Sequence, residues 1–272
     1  MSETRKPKAK KPAVGQKSLN HEAEDLGKTV EPIGAEAGKV IAPVLNRFLT
    51  GVKNPVYNYD KIGEWLQDRL IQEMQNVSPE AIVEPNPRTA VPVVHALIYS
   101  MAEEHISDMF AKLLATDMNV NRKGKAHTAF VGIIMEMTTA DARALKLFRK
   151  EPQAEIVGHL VDKTGQVRDL SVDLSFWIGG YLIANLRSSV DNLLRLALIE
   201  KRYNVGPITR LVEESRKRMS DYLEVTYAAK LSDPEFIRQM KLEPPLRLST
   251  KTHGLFLTAW GRDFVDVCLG QN

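Results

Sequence analysis

Glu104, His105 and Asp108 are the side chains in this sequence best spaced to do chemistry. On a helix, Glu104 and Asp108 stand one turn apart with the imidazole of His105 beside them. Two carboxylates and a histidine could bind a hard cation, or divide the roles of acid and base. The same residues also describe an ordinary solvated face, because Ile106, Met109 and Phe110 project from the other side. The solvated face is the favoured reading. His21, His95, His127, His159 and His253 are scattered, with no helical zinc-pair spacing among the six histidines. His127 precedes Thr128 at a helix start, where capping or packing suits it better than catalysis.

Cys268 is the sole cysteine, which excludes an internal disulfide and any multi-cysteine metal centre. It falls on the apolar stripe of the last helix and reads as a buried structural thiol. The sequence holds no phosphate-cradling loop ending in Lys-Ser or Lys-Thr, no dinucleotide fingerprint and no Gly-x-Ser-x-Gly elbow. The expectation is a non-enzymatic chain with no catalytic residues, no metal and no cofactor.

A second set of residues could contact nucleic acid. Tyr181 to Ala197 reads as a helix offering Arg187, Ser189, Asn192 and Arg195. Lys201 and Arg202 follow, and Arg216, Lys217 and Arg218 lie further on. Arg and Asn are the common partners of phosphates and base edges. Charge argues against that reading. Residues 1–20 hold six Lys or Arg against Glu3, while the rest of the chain carries 31 basic and 33 acidic residues. The body therefore lacks the positive field of a dedicated nucleic-acid binder.

The elements that would position these residues are mostly helical. Residues 1–24 form a basic tail with little to bury, expected to be disordered. Residues 25–76 form an amphipathic helical segment. Within it Gly34, Ala35, Gly38 and Ala42 make a small-residue face suited to close helix contact. Residues 77–137 form a helical middle region. Pro85 and Pro87 predict an extended strap, and the strongest helical period runs from Val91 to Ala115. Thr138 and Asp141 have the spacing of a helix cap. Residues 154–178 favour loop and short strands.

Residues 138–272 read as a winged-helix-like α+β half. A helix runs into Leu198-Ile199, and Leu255-Phe-Leu257 stops at Thr258 before a last helix. Those two apolar segments should pair as antiparallel strands, with 204–251 inserted between them as a lobe that loops out. The fold class is therefore mainly α, with a C-terminal winged-helix-like α+β half carrying an insertion.

Several blocks together resemble one family. They are Pro85-Asn-Pro87 leading into Ala90-Val-Pro-Val, Ile106 to Met118, Ala126 to Thr138 with Asp141-Ala, Ser189 to Ile199, and Leu257 to Cys268. Glu31-Pro-Ile-Gly34 is similar to the opening helix. In this order they resemble the Abi-alpha, or abortive-infection protein alpha, family. The resemblance implies a role in bacterial defence against phage and carries no catalytic residues to place here. One departure is Leu196-Ala-Leu-Ile199, where the family has Leu-Gly-Leu-Ile; Ala is expected to change that turn.

The leading expectation is a defence component acting through protein contacts or self-association. The alternative is a winged-helix DNA-binding regulator. A protein partner or homo-oligomer is expected, with DNA as the alternative partner and a membrane surface disfavoured. No small-molecule substrate is indicated. Neither a secretory signal nor a membrane-length apolar run is present, so the expected location is cytoplasmic.

Overall fold

The computed structural model describes residues 38–47, 59–150, 152–169, 176–178, 181–183, 186–203 and 210–270. The tail 1–24, and Gly34 and Ala35, lie outside the described residues. The described chain is mainly helical, as its apolar spacing predicts, with a small antiparallel sheet. Among the described residues no helix is long and apolar enough to cross a membrane.

Helix α1 covers residues 38–47. It is followed by α2 (Tyr59–Glu73), α3 (Pro87–Ser100), α4 (Glu104–Met118), α5 (Ala129–Met135) and α6 (Thr139–Lys150). Helix α4 is the centre of the molecule. Ile106, Phe110 and Leu113 are buried as the apolar stripe predicts, but so are Ser107, Thr116 and Asp117 from its other sides. Helices α2, α3, α5, α6 and the C-terminal helix all pack on it. Burial on nearly all sides marks a core helix rather than a surface one.

Two local readings change. The strap at Pro85–Pro87 ends one residue early, because Pro87 opens α3. Proline suits the first helical position, where its missing N–H has no partner to lose. Asn86 caps that turn by accepting from Arg88 N at 3.0 Å. The long helical period from Val91 to Ala115 is two helices, divided where Glu103 leaves helical geometry. Thr138 and Asp141 behave as their spacing predicts. Thr138 N donates to Asp141 Oδ2 at 2.8 Å, and Asp141 N donates to Thr138 Oγ1 at 3.2 Å. That exchange is a capping box.

Strand β1 (Gln153–Val161) is nine buried residues where loop and short strands were expected. Its continuous burial explains the missing polar alternation: both faces of the strand are covered. Next come β2 (Val167–Asp169), β3 (Phe176–Ile178), β4 (Tyr181–Ile183), α7 (Leu186–Arg195) and β5 (Ile199–Arg202). The helix expected from Tyr181 therefore begins at Leu186, and Tyr181–Ile183 pairs with β3 instead. Helices α8 (Arg210–Tyr227) and α9 (Pro234–Met240), strand β6 (Arg247–Leu257) and α10 (Ala259–Cys268) complete the chain.

The main sheet runs β2-β1-β6-β5, antiparallel throughout. Ile199 lies opposite Leu257 and Lys201 opposite Leu255, so the two apolar segments meet as expected. Strand β6 begins at Arg247, inside the 204–251 stretch, and pairs with β1 along all of β1. The inserted helices do not loop out. Helix α8 lies on the sheet, where Leu223 joins Ile156, Leu160 and Leu242 in a second apolar cluster. A sheet with an apolar face needs a layer over it, and the insertion supplies that layer.

Candidate functional site

Of the nucleic-acid candidates, Arg187, Ser189, Asn192 and Arg195 lie on α7, Lys201 and Arg202 on β5, and Arg216, Lys217 and Arg218 on α8. Ala197 takes φ +56 after α7. This is the left-handed backbone that glycine adopts most easily, so Ala carries strain at this position. Thr258 then ties the turn to α10. Its Oγ1 donates to Ala197 O at 2.7 Å and accepts from Gly261 N at 2.8 Å. Thr258 N donates to Leu198 O at 3.1 Å. A Cβ at Gly261 would overlap that Leu198 carbonyl. Thr258 is the helix cap its position predicts.

On α7 and β5 the nucleic-acid candidates turn inward or hold acids of the same chain. Ser189 is buried. Asn192 Nδ2 donates to Glu136 O at 3.0 Å and to Asp141 Oδ2 at 2.9 Å, which fastens α7 to the start of α6. Arg195 donates twice to Asn192 Oδ1 and pairs with Glu136 at 2.5 Å. Arg187 faces Asp191 at 3.8 Å, and Arg216 holds Glu213 at 2.5 Å. Arg202 donates to Glu200. Lys217 and Arg218 are exposed on α8.

Lys201 belongs to a cluster that spans three strands. It pairs with Glu155 on β1, and Glu155 Oε2 also meets His253 Nδ1 of β6 at 3.1 Å. Glu155 and His253 are both buried, while the Tyr203 ring stands against His253 at 4.9 Å. The register carries these groups together: Glu155 is directly opposite His253. Sequence reading missed this cluster because its members lie far apart and reveal themselves only through pairing. A shared carboxylate flanked by an amine and an imidazole fixes the strands to one another, and removing one member would leave a buried charge unpaired.

Glu104, His105 and Asp108 do not converge. Asp108 accepts from Arg69 of α2 at 2.6 Å, whereas His105 Nδ1 lies 3.4 Å from Lys146 Nζ of α6. Glu104 is exposed. Among the described residues no group of three His, Cys, Asp or Glu could hold a metal ion. His127 packs and caps: its ring meets Trp260 edge-on at 5.0 Å, and its Nδ1 accepts from Ala129 N at 3.1 Å. Cys268 is fully buried, and desolvation pushes its thiol well above the usual range against the opposing pull of Lys112. It is not a thiolate nucleophile at neutral pH.

Two structural carboxylates also escaped the sequence reading. Burial raises the Asp117 carboxyl above its ordinary range, although it accepts from Asn86 N at 2.6 Å and so braces the start of α3. Asp162 at the β1–β2 turn is held down to about 2, first by the Thr164 hydroxyl and then by backbone N–H groups including that of Glu243. At the small-residue face, Gly38 approaches α2 closely: a Cβ there would lie 3.3 Å from Ile71 Cδ1. Ala42 is half-buried one turn on, beside fully buried Ile41.

No curated protein and no solved structure matches the chain. A family model described as abortive infection alpha does match, over residues 58–268. This span runs from α2 to the last residue of α10 and includes the central helix, the sheet and the inserted helices. The chain belongs to the abortive infection alpha family.

Proposed function

We propose that this protein is a non-enzymatic component of abortive-infection defence against phage that acts through protein contact or self-association. Membership of the family supports the defence role. The contact role rests on one observation. Tyr222 and Val225, 51% and 85% exposed, stand one turn apart on the outer side of α8, away from buried Leu223. Large apolar groups left in water at such spacing suit a helix-face contact. The binding cations of the α7–β5 region, by contrast, are engaged with the chain's own acids.

The test joins biology to biophysics. Cells carrying the wild-type gene should show fewer plaques than cells without it. The double variant Tyr222→Asp, Val225→Asp should keep its melting temperature and lose that protection. Full protection by a folded double variant would remove the contact reading.

The second reading is a DNA-binding regulator with a winged-helix-like C-terminal half. It draws support from the succession α7, β5, β6, in which a helix leads into paired strands and the insertion replaces a short wing turn. On that reading Arg187→Ala with Arg195→Ala weakens duplex binding and flattens its salt dependence. Absence of duplex binding at low salt would end it.

A further inference from the structure

We infer that the partner of the α8 face is a second copy of this chain, docked so that the two α8 helices run antiparallel. This pairing rests on the contact reading above and names its partner. Helix α8 spans 18 residues, a rod of about 27 Å. Leu223 fixes its inner side against the sheet. Tyr222 and Val225 are left in water on the outer side, with Lys217, Asp221 and Glu224 exposed around them.

Charge on this face reverses along the helix. The basic run Arg216-Lys-Arg218 stands before Asp221 and Glu224. Glu213, ahead of that run, is already held by Arg216. Glu224 follows Lys217 by seven residues, two turns further along the same side. They are too far apart to meet within one helix, and among the described residues neither makes an ion pair. A parallel second helix in register would set Lys217 against Lys217 and Glu224 against Glu224. An antiparallel one sets each Lys217 level with Glu224 of the second copy, and two-fold symmetry makes that contact twice. The face is its own complement.

The same register brings the apolar groups together. With Lys217 level with Glu224, the two Tyr222 residues fall on one flank, about 4.5 Å apart along the helix axes and within a single turn. Each ring then covers the other, and Val225 extends the seam. Antiparallel helices also set their dipoles head to tail. A phosphate backbone or an anionic surface fits this face less well, because it would meet Asp221 and Glu224 beside Lys217. One helix pair buries less than the roughly 1,200 Å² of a stable complex, so the dimer is reversible and depends on concentration.

The full chain is followed by sedimentation velocity at low salt over a wide range of concentration. The wild type should pass from monomer to dimer as concentration rises, and added salt should weaken the dimer. Lys217→Glu and Glu224→Lys should each weaken it by about tenfold or more, because either change sets like charges opposite one another twice. An equimolar mixture of these two variants should recover the wild-type affinity, since every facing pair is again of opposite sign. Melting curves establish that the variants are folded. A wild type that stays monomeric overturns the pairing, as does a dimer that neither folded variant weakens. A mixture no tighter than the variants alone overturns the antiparallel register. Plaque counts separate this pairing from the contact reading. Protection lost in Tyr222→Asp, Val225→Asp while the wild type is monomeric keeps the contact and gives it to another protein. Full protection by that folded double variant, with its dimer abolished, keeps the pairing and removes it from defence.

Discussion

The helical body and the sheet-covering insertion are built to different depths. The body packs α1 to α7 and α10 around α4, in one continuous core that includes Phe110, Phe130 and Phe264. Among the described residues, Ile156, Leu160, Leu223 and Leu242 are buried together under the insertion, with Tyr227, Phe236 and Met240 among those partly covered at the rim. Yet both regions share β6, whose first residues carry the insertion's cluster and whose last residues enter the body's core. The contrast teaches that, among the described residues, the insertion is held to the sheet by one covering helix and a shared strand over a smaller apolar cluster. Its local opening should therefore require less free energy than global unfolding.

Breaking the body should have the largest effect. Gly261→Ala forces a methyl group into the Leu198 carbonyl, with backbone on both sides of the contact. The expected loss is about 3 kcal/mol, read as a fall of several degrees in the melting temperature of the whole chain. Leu223→Ala should cost about 2–4 kcal/mol, but the loss should be confined. Hydrogen exchange should quicken in α8, β1 and the first half of β6 while α4 stays protected. Equal loss of protection in α4 would show that the two regions are one cooperative unit.

Smaller changes sharpen the same contrast. Ala197→Gly removes the left-handed strain at the body's junction and should raise stability by about 1 kcal/mol. A lower melting temperature would contradict the strain assigned there. Acid should act on the insertion side. Asp162 is held at about 2 when folded, against about 3.9 in an unfolded chain. Its contribution is complete above the unfolded value and is lost as pH falls through the folded one. Between about pH 4 and pH 2, protection from exchange relative to the intrinsic rate should fall at the β1–β2 turn and at Glu243, and Asp162→Asn should abolish that pH dependence.

The body was largely legible in the sequence because its signals are local. The stripe through Ile106, Met109 and Phe110, the Thr138–Asp141 box and the Thr258 cap each lie within a turn or two of chain. The pairing of Ile199 with Leu257 was also legible, since two short apolar segments have few other ways to satisfy their backbones. What stayed hidden depends on distant partners. Strand β1 carries no alternation because both its faces are covered, so it read as irregular. The bonds of Asn192 to Asp141 and of Arg195 to Glu136 join residues far apart in sequence and could not be read from it. The Glu155–His253 pair exists only once the register of β6 is fixed.

The long separation of β1 from β6 also sets an order in time. Gln153 finds its partner Leu255 only after the whole insertion has been synthesised, and Phe264 of α10 enters the core later still. At roughly 5–20 residues per second on the ribosome, that delay is on the order of 5–20 s. Throughout it, β1 lacks its neighbour β6 and α4 lacks its cover from α10. Synthesis halted before β6 would leave a nascent chain with an unpaired strand edge and an open core, the kind of species that chaperones and proteases recognise.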